Sequence, residues 1–317
     1  MLMHLPESSA KQGLSKNAMA HIPVLLQETI EGLSPQAGQT VLDGTGGGGG
    51  HALALCREIG KAGTIVVCDQ DEDAIRRIKE RLEDCPGMVH VVQENFRNMA
   101  NVLAELHLAR VDRIVLDLGL SSFQLDEAER GFSFRKSEPL TMTFAKVPSP
   151  DSFTAYDIVN TWEEEPIADV IFAYGEERYA RTITRAITSA RAVHPIETTT
   201  ELAEIIKGCV PVRYAHGKIH PATRTFQAIR IAVNDELGAL EEGLRSGWEH
   251  LSENGRIAVI SFHSLEDRIV KRFFKERERE DGAHILTKRP IEASDEEIRA
   301  NPRARSAKLR IAEKINS

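Results

Sequence analysis

Residues 41–52 read VLDGTGGGGGHA, and this stretch decides the fold. A short apolar run leads into a glycine-rich loop and then into a helical pattern, which is the order found where a parallel strand turns into a helix beside a ligand. Glycines at such a turn allow backbone N–H groups to approach a ligand at the helix N-terminus. By itself the loop is weak evidence for a ligand site, because a turn without a ligand also tolerates glycines. The residues around the loop must therefore distinguish the two cases.

Four further apolar runs have the length and composition of strands. They are TIVVCD (64–69), VHVVQ (89–93), DRIVLDL (112–118) and GRIAVISF (255–262). Their apolarity is continuous rather than alternating, and helix-like segments separate most of them, which predicts strands covered on both faces. The sequence therefore predicts an α/β fold with a doubly wound, mostly parallel sheet.

More than a hundred residues separate the last two of these runs, which is too many for one crossover helix. Apolar residues within this stretch recur at helical spacing. We therefore predict a core formed by residues 21–125 and 215–317, and an all-helical insertion at 126–214. Residues 1–20 show no sustained period and are expected to form a flexible tail.

Composition limits the classes of protein that fit. Hydrophobic residues make up 41% of the chain, and no apolar run approaches the length that spans a bilayer. We therefore expect a cytoplasmic protein without membrane contact. The four cysteines lack CxxC spacing and are expected to be reduced thiols that bind no metal.

Charge is distributed unevenly along the chain. The net charge is −8, yet residues 299–310 contain five basic residues and no acid. Arg303, Arg305 and Lys308 in this run are candidates for contact with a phosphate backbone. A solvated strand edge is the alternative reading.

Two carboxylates limit the kinds of ligand that would suit the glycine loop. Asp43 ends the first predicted strand, where an acid suits a cationic group such as the amine of a methionine moiety and repels a pyrophosphate. Asp69 ends the second strand, where a carboxylate can accept hydrogen bonds from ribose hydroxyls. The pair favours an adenosine cofactor over a phosphate, although Asp69 could also be a solvated acid at a strand end.

Two more segments carry candidate chemistry. Asp117 ends the fourth strand, where it could contact the cofactor, hold the reacting group of the substrate or cap a turn. His263 could act as a base or simply pack. Ser264 and Asp267 have the spacing of a capping box for the following helix.

Several long motifs closely resemble the RsmH (MraW) family of ribosomal RNA small subunit (cytosine-N4-)-methyltransferases. They are HIPVLL (21–26), the DGT and GGH elements of the loop, DLGLSSFQLDEAERGFSF (117–134), YGEER (174–178), HPATRTFQAIRI (220–231), VISFHSLEDRIVKRF (259–273) and NPRARSAKLRIAE (301–313). The resemblance implies a Rossmann-like class I methyltransferase core. It also implies transfer of a methyl group from S-adenosylmethionine to N4 of one cytidine in the decoding region of 16S ribosomal RNA, with the small ribosomal subunit as partner.

The resemblance also implies the residues that contact S-adenosylmethionine. These are Gly49, Gly50, His51, Asp69, Phe96, Asp117 and Gln124, and Asp43 joins them on the charge argument above. Asp117 is the candidate catalytic residue, because an acceptor for the amine hydrogens would assist attack by nitrogen. The helical insertion is expected to hold the substrate.

The chain departs from the family pattern at several positions. Gly46 and Gly48 replace a bulky residue and an arginine in the loop. Thr141 and Thr143 stand where the family has Asp and Arg, and Glu138 where it has Gly. The RNA contacts of segment 138–144 are therefore the least secure part of the resemblance.

Two other classes of protein fit part of the pattern. The loop and Asp69 alone would permit an NAD-dependent oxidoreductase, although Asp43 and the lack of a clean GxGxxG oppose it. A noncatalytic RNA-binding factor is the second alternative, since segment 138–144 is altered. The sequence leaves open the oligomeric state, a homodimer included, the choice between free RNA and assembled subunit, and the proton acceptor.

Overall fold

The computed structural model describes residues 23–126, 129–146, 152–280 and 282–315. The predicted tail at 1–20 lies outside these ranges. None of the described helices is long and apolar enough to cross a membrane.

A twisted sheet forms the centre of the described chain. Its strands are β1 (Thr40–Asp43), β2 (Thr64–Asp69), β3 (Met88–Gln93), β4 (Val111–Asp117), β5 (Leu251–Ser261), β6 (Ala283–Ile285), β7 (Ile291–Glu292) and β8 (Lys308–Lys314). The order is β3-β2-β1-β4-β5-β8-β6, and β7 pairs with β8. Strands β1 to β5 are parallel and β6 to β8 pair antiparallel. The predicted mostly parallel α/β sheet is confirmed.

Helices cover both faces of the sheet. The core helices are α1 (Leu26–Leu33), α2 (Gly50–Ile59), α3 (Glu72–Arg81), α4 (Met99–Glu105), α12 (Glu236–His250), α13 (Ser264–Arg279) and α14 (Asp295–Ala300). One apolar cluster joins α1, α2 and α3 to the sheet, and a second joins α4, α12 and α13 to it. Strand residues such as Val41 and Leu42 alternate between the two clusters because neighbouring side chains point to opposite faces.

Between β4 and β5, the described residues form helices joined by loops, with no strand of the sheet among them. The helices of this stretch before α12 are α5 (Ser122–Asp126), α6 (Ala155–Thr161), α7 (Glu164–Gly175), α8 (Ala180–Arg191), α9 (Thr199–Cys209), α10 (Val212–Ala215) and α11 (Thr223–Asn234). Helices α6 to α9 and α11 bury their apolar faces in a third cluster, separate from the two that flank the sheet. A left-handed residue, Asp235, ends α11 and starts α12.

Two local expectations were wrong. Cys56 and Cys85 form a disulfide between α2 and the loop after α3, with their Cα atoms 6.0 Å apart, so the four thiols are not all reduced. Burial of Cys56 on the sheet-facing side of α2 places it against Cys85, a proximity that spacing in sequence does not reveal. The capping box of α13 consists of His263 and Glu266, one residue earlier than Ser264 and Asp267.

Candidate active site

A cavity of about 430 Å³ opens where β1, β2, β4 and β5 end. This is the carboxyl edge of the parallel strands, where open α/β sheets bind their ligands. The glycine loop forms one wall, Asp69 and Asp117 stand at two strand ends, and Phe262 follows β5. The cavity therefore gathers residues from nearly the whole described chain, from Pro23 to Arg303.

The backbone of the glycine loop explains its composition. Gly49 caps α2 with a φ of 72°, a left-handed conformation that favours glycine. A Cβ at Gly46 would lie 2.5 Å from Ile78 Cδ1 and 2.7 Å from Val67 Cγ1. The bulky residue of the family pattern does not fit at Gly46 without rearrangement of these neighbours. Arg81 donates to the carbonyl oxygen of Gly48 at 2.8 Å and so contacts the loop from α3.

Asp69 is the carboxylate that organises the second strand end. Its Oδ2 accepts from Gly47 N at 2.7 Å and its Oδ1 accepts from Asp71 N at 2.9 Å. Carboxylate oxygens have about four acceptor sites in total, so hydroxyl groups can still donate to Asp69. Burial raises its pKa to about 6, against the opposing effect of the two backbone hydrogen bonds.

Asp43 does not line the cavity. It is 1% exposed beneath the glycine loop, where Oδ1 accepts from Thr45 N at 3.1 Å. Burial raises the pKa of Asp43 to about 7, and the charge of Asp69 adds to this effect. A direct contact between Asp43 and a ligand is therefore not supported by its position, although its charge favours a cation nearby.

Asp117 lies at the end of β4 with one oxygen unsatisfied. Thr45 Oγ1 accepts from its backbone N at 2.6 Å, and Oδ2 lies 3.6 Å from Nδ1 of His51. Its Oδ1 is buried and has no hydrogen-bond partner among the described residues. Burial, reinforced by the charges of Asp43 and Glu266, raises the pKa of Asp117 well above its usual range. A buried acceptor without a partner is costly, which is typical of a group that awaits a ligand.

The other sequence-predicted contacts are divided between the cavity wall and its surroundings. Gly50, His51, Phe96 and Gln124 line the cavity, whereas Gly49 does not. Ser121 N donates to Gln124 Oε1 at 3.1 Å, which fixes this amide at the rim.

The basic run at the C-terminus is also divided. Arg303 lines the cavity, and Arg305 is exposed on the 3₁₀ turn Pro302–Ser306. Lys308 Nζ lies 4.0 Å from Asp267 Oδ2. Arg310, in the same run, is buried and donates to Asp267 at 2.6 and 3.2 Å. The run is therefore partly a buried strand rather than a uniform basic surface.

Several wall residues were not predicted from the sequence. Phe144, Asn234 and Glu236 line the cavity beside the glycine loop and Asp117. Asn234 accepts from Phe144 N and donates to the carbonyl oxygen of Met142, both at 2.8 Å. The polar break NDE between two helices was the available signal, because apolar spacing stops there.

A buried ion pair ties segment 130–146 to the second strand end. Asp71 caps α3 and pairs with Arg130 Nη2 at 2.5 Å, and neither side chain is more than 9% exposed. Arg130 also donates to the carbonyl oxygen of Phe144 at 2.5 Å. Glu138 is buried, and its carboxylate accepts from Gly131 N at 2.9 Å. Thr143 donates within the segment to Ala145 O at 2.9 Å. The side chains of two of the three departures in segment 138–144, Glu138 and Thr143, therefore have local hydrogen-bond partners.

One group of side chains could be mistaken for a metal centre. Ligand atoms of Glu236, His263 and Glu266 lie within 4.8 Å of one another. Arg230, however, donates to both oxygens of Glu236 at 2.7 and 2.8 Å. Burial opposes ionisation of Glu266, but hydrogen bonds from His263 and Phe262 N outweigh burial and lower its pKa. Glu236 and Glu266 thus already have hydrogen-bond or ion-pair partners within the protein, and we assign no metal to them.

The donor set fits S-adenosylmethionine rather than a dinucleotide. Ionisable carboxyls at three neighbouring strand ends favour a cation, a carboxylate at β2 suits a ribose, and Phe96 offers a ring at the wall. When bound, this cofactor supplies a methyl group on a sulfonium. Fold and site together are those of a class I methyltransferase.

Comparisons with known proteins agree. The MraW methylase family matches residues 18–315. Ribosomal RNA small subunit methyltransferase H of Heliobacterium modesticaldum is 47% identical over 93% of this chain and 98% of its own length. The protein of the same name from Deinococcus deserti is 49% identical over 99% of this chain and 98% of its own length. The chain belongs to the MraW methylase family and is an S-adenosylmethionine-dependent methyltransferase.

Solved structures show a weaker likeness. An rRNA methylase from Streptococcus thermophilus matches with 10% identity and a TM-score of 0.43, over 92% of this chain and 94% of that chain. A likeness of this size carries no argument about substrate.

Proposed function

We propose that the chain transfers methyl from S-adenosylmethionine to N4 of a specific cytidine in the decoding region of 16S ribosomal RNA. The small ribosomal subunit is the partner in this proposal. The names of the relatives, all ribosomal RNA small subunit methyltransferases, support the RNA class. The resemblance of the motifs supports the nucleoside and its position.

The observation that carries the proposal is the unpartnered Oδ1 of Asp117 in the cofactor cavity. The lone pair of a cytosine amine is delocalised into the ring, so nitrogen attacks more easily when an acceptor binds its hydrogens. Asp117 has the buried oxygen that such an amine requires. Its place at the strand end supports a dual role in this proposal, toward cofactor and amine.

The remaining residues divide between binding and positioning. Gly50, His51, Asp69, Phe96 and Gln124 hold the cofactor in this proposal. Gly49 shapes the turn into α2 rather than lining the cavity, and Asp43 contributes charge beneath the loop. Arg303 at the cavity wall and the exposed Arg305 face phosphate, together with Lys308. Precise alignment of the reacting atoms supplies much of the rate enhancement of such an enzyme.

The helical insertion, residues 126–214, forms the substrate-recognition subdomain in this proposal. The target base must leave any stack to enter a cavity at a sheet edge, at a cost of a few kcal/mol in a paired helix. Segment 130–146 brings Phe144 to the cavity wall and is fixed there by Arg130 and Asn234. An aromatic at this wall suits contact with an extruded base.

The experiment that tests the proposal is methylation of unmethylated small subunits with labelled S-adenosylmethionine. Large subunits serve as the control substrate, and the RNA is digested to nucleosides for mass spectrometry. The expected product is labelled N4-methylcytidine from small subunits alone. Label in another nucleoside would refute the target atom, and absence of label with normal cofactor binding would favour a noncatalytic RNA-binding factor.

A further inference from the structure

His51 and Asp117 form a pair whose proton positions can be assigned from geometry. His51 lies in the first turn of α2, with Nε2 3.2 Å from the carbonyl oxygen of Val24 and Nδ1 3.6 Å from Asp117 Oδ2. A carbonyl oxygen only accepts, so Nε2 must carry the hydrogen. Nδ1 is then the nitrogen of the neutral ring that can receive a proton, and it is directed toward Asp117.

The two oxygens of Asp117 have different surroundings. Oδ2 faces His51, whereas the buried Oδ1 has no hydrogen-bond partner among the described residues. Thr45 holds the backbone of Asp117, and both His51 and Asp117 line the cavity. The carboxyl group therefore connects the cavity on one side with an imidazole on the other.

We propose that His51 is a positioning residue for methyl transfer, which orients Asp117 and receives through it the proton released by the target amine. This inference rests on the proposed function, because it needs an amine at Oδ1. The 3.6 Å separation is longer than a hydrogen bond, and such contacts often tighten only when substrate is bound.

The proton balance of the step is simple. Transfer forms a carbon–nitrogen bond and breaks the carbon–sulfur bond, and the electron pair of the broken bond stays on sulfur. One N–H proton leaves the amine for Asp117 and passes to Nδ1 of His51. The imidazolium then returns the proton to solvent after the products leave.

The charges in the cavity fit this sequence. Without ligand, burial and the charges of Asp43 and Glu266 raise the pKa of Asp117, which disfavours its carboxylate form. A sulfonium nearby favours the carboxylate, which can then accept. As the sulfonium charge is lost, the new proton restores the same total charge, so no uncompensated charge is buried.

The first test needs no catalysis. Nitrogen-15 NMR of the histidine rings, on the protein without cofactor, should show neutral His51 in the Nε2–H form. Asp117→Asn should lower the pKa of His51, because a protonated His51 would no longer face a carboxylate at Nδ1. The exposed His284 should be unaffected by the same substitution. An Nδ1–H ring, or a titration of His51 that Asp117→Asn leaves unchanged, would overturn the inference.

The second test is a pH profile of single-turnover methylation at saturating cofactor. His51→Gln can keep the contact to Val24 but cannot take a proton, so the rate should fall roughly tenfold to hundredfold. The rise of rate with pH should also move to higher pH, because Asp117 must then hold the proton alone. His284→Gln is the control. A uniform loss of rate with an unshifted profile would mean a purely structural role for His51.

The two proposals fail in distinguishable ways. Coupling of His51 to Asp117 is read by NMR whatever nucleoside is methylated. If N4-methylcytidine forms but the titration of His51 does not depend on Asp117, only the role of His51 is refuted. If the titration of His51 depends on Asp117 but another atom is methylated, the proposed target is refuted and the His51–Asp117 coupling stands.

Discussion

The cofactor side and the insertion side of the cavity are held in different ways. On the cofactor side, backbone N–H groups of Thr45, Gly47 and Asp71 donate to carboxylates at strand ends. On the insertion side, the side chains of Arg130 and Asn234 fix segment 130–146 across long stretches of sequence. The first side depends on local backbone geometry and the second on a few long-range side-chain contacts. Substitutions should therefore affect the two sides separately, except at Asp71, whose backbone N donates to Asp69 and whose side chain pairs with Arg130.

The largest expected effect on stability is at the buried ion pair. Arg130→Met leaves Asp71 buried without its cation and should lower the free energy of unfolding by about 3–5 kcal/mol. Urea denaturation followed by circular dichroism measures the change. Arg76→Met, which removes an exposed ion pair on α3, should cost under about 1 kcal/mol. An equal decrease in the free energy of unfolding for the two variants would mean that the Arg130–Asp71 ion pair does not hold segment 130–146.

The next effect is on the cofactor side alone. Asp69→Ala should weaken binding of S-adenosylmethionine by about 1.5–3 kcal/mol, because a charged acceptor for ribose is removed. Calorimetry measures the affinity, and circular dichroism checks that the fold survives. The exposed Asp84 provides the matched variant, Asp84→Ala, with unchanged affinity expected. Unchanged affinity in folded Asp69→Ala would remove Asp69 from the site.

The smallest effect concerns the basic run, and the structure sharpens its test. Arg303 lines the cavity, so its removal could alter cofactor binding as well. Arg305→Ala with Lys308→Ala avoids this, and should reduce the salt-dependence slope of RNA binding by roughly 0.9 for each duplex phosphate that the protein no longer neutralises. Arg57→Ala with Lys61→Ala, at the end of α2 and before β2, is the control. An unaltered slope would mean that Arg305 and Lys308 face away from RNA.

The same comparison explains what the sequence could predict. Strands β1 to β5 and the acids at their ends were found because a buried parallel strand is a local apolar pattern, as TIVVCD at Thr64–Asp69 shows. Strand β8 was not among the predicted strands, because the basic run at 299–310 was interpreted as a surface for phosphate, with a solvated strand edge as the alternative. Arg310 in this run is instead buried against Asp267. Pairing of a strand charge with a distant acid leaves no local signature.

The contacts on the insertion side were harder to predict from the sequence for the same reason. Apolar spacing predicted helices between β4 and β5, but nothing in it placed Arg130 against Asp71 or Asn234 against Phe144. These contacts join residues 59 and 90 positions apart. The Cys56–Cys85 disulfide is a further case, since its partners meet only after α2 and α3 pack on the sheet. Local periodicity specifies elements, and long-range polar partners appear only in the folded chain.

The central claim is that cofactor and target amine meet at Asp117, which serves both. Single-turnover methylation by Asp117→Ala at increasing S-adenosylmethionine concentrations tests it most directly. We predict that the maximal rate stays low at saturation, because an interaction made in the transition state has been removed. Recovery of the wild-type rate at saturating cofactor would contradict the claim and would limit Asp117 to binding the cofactor.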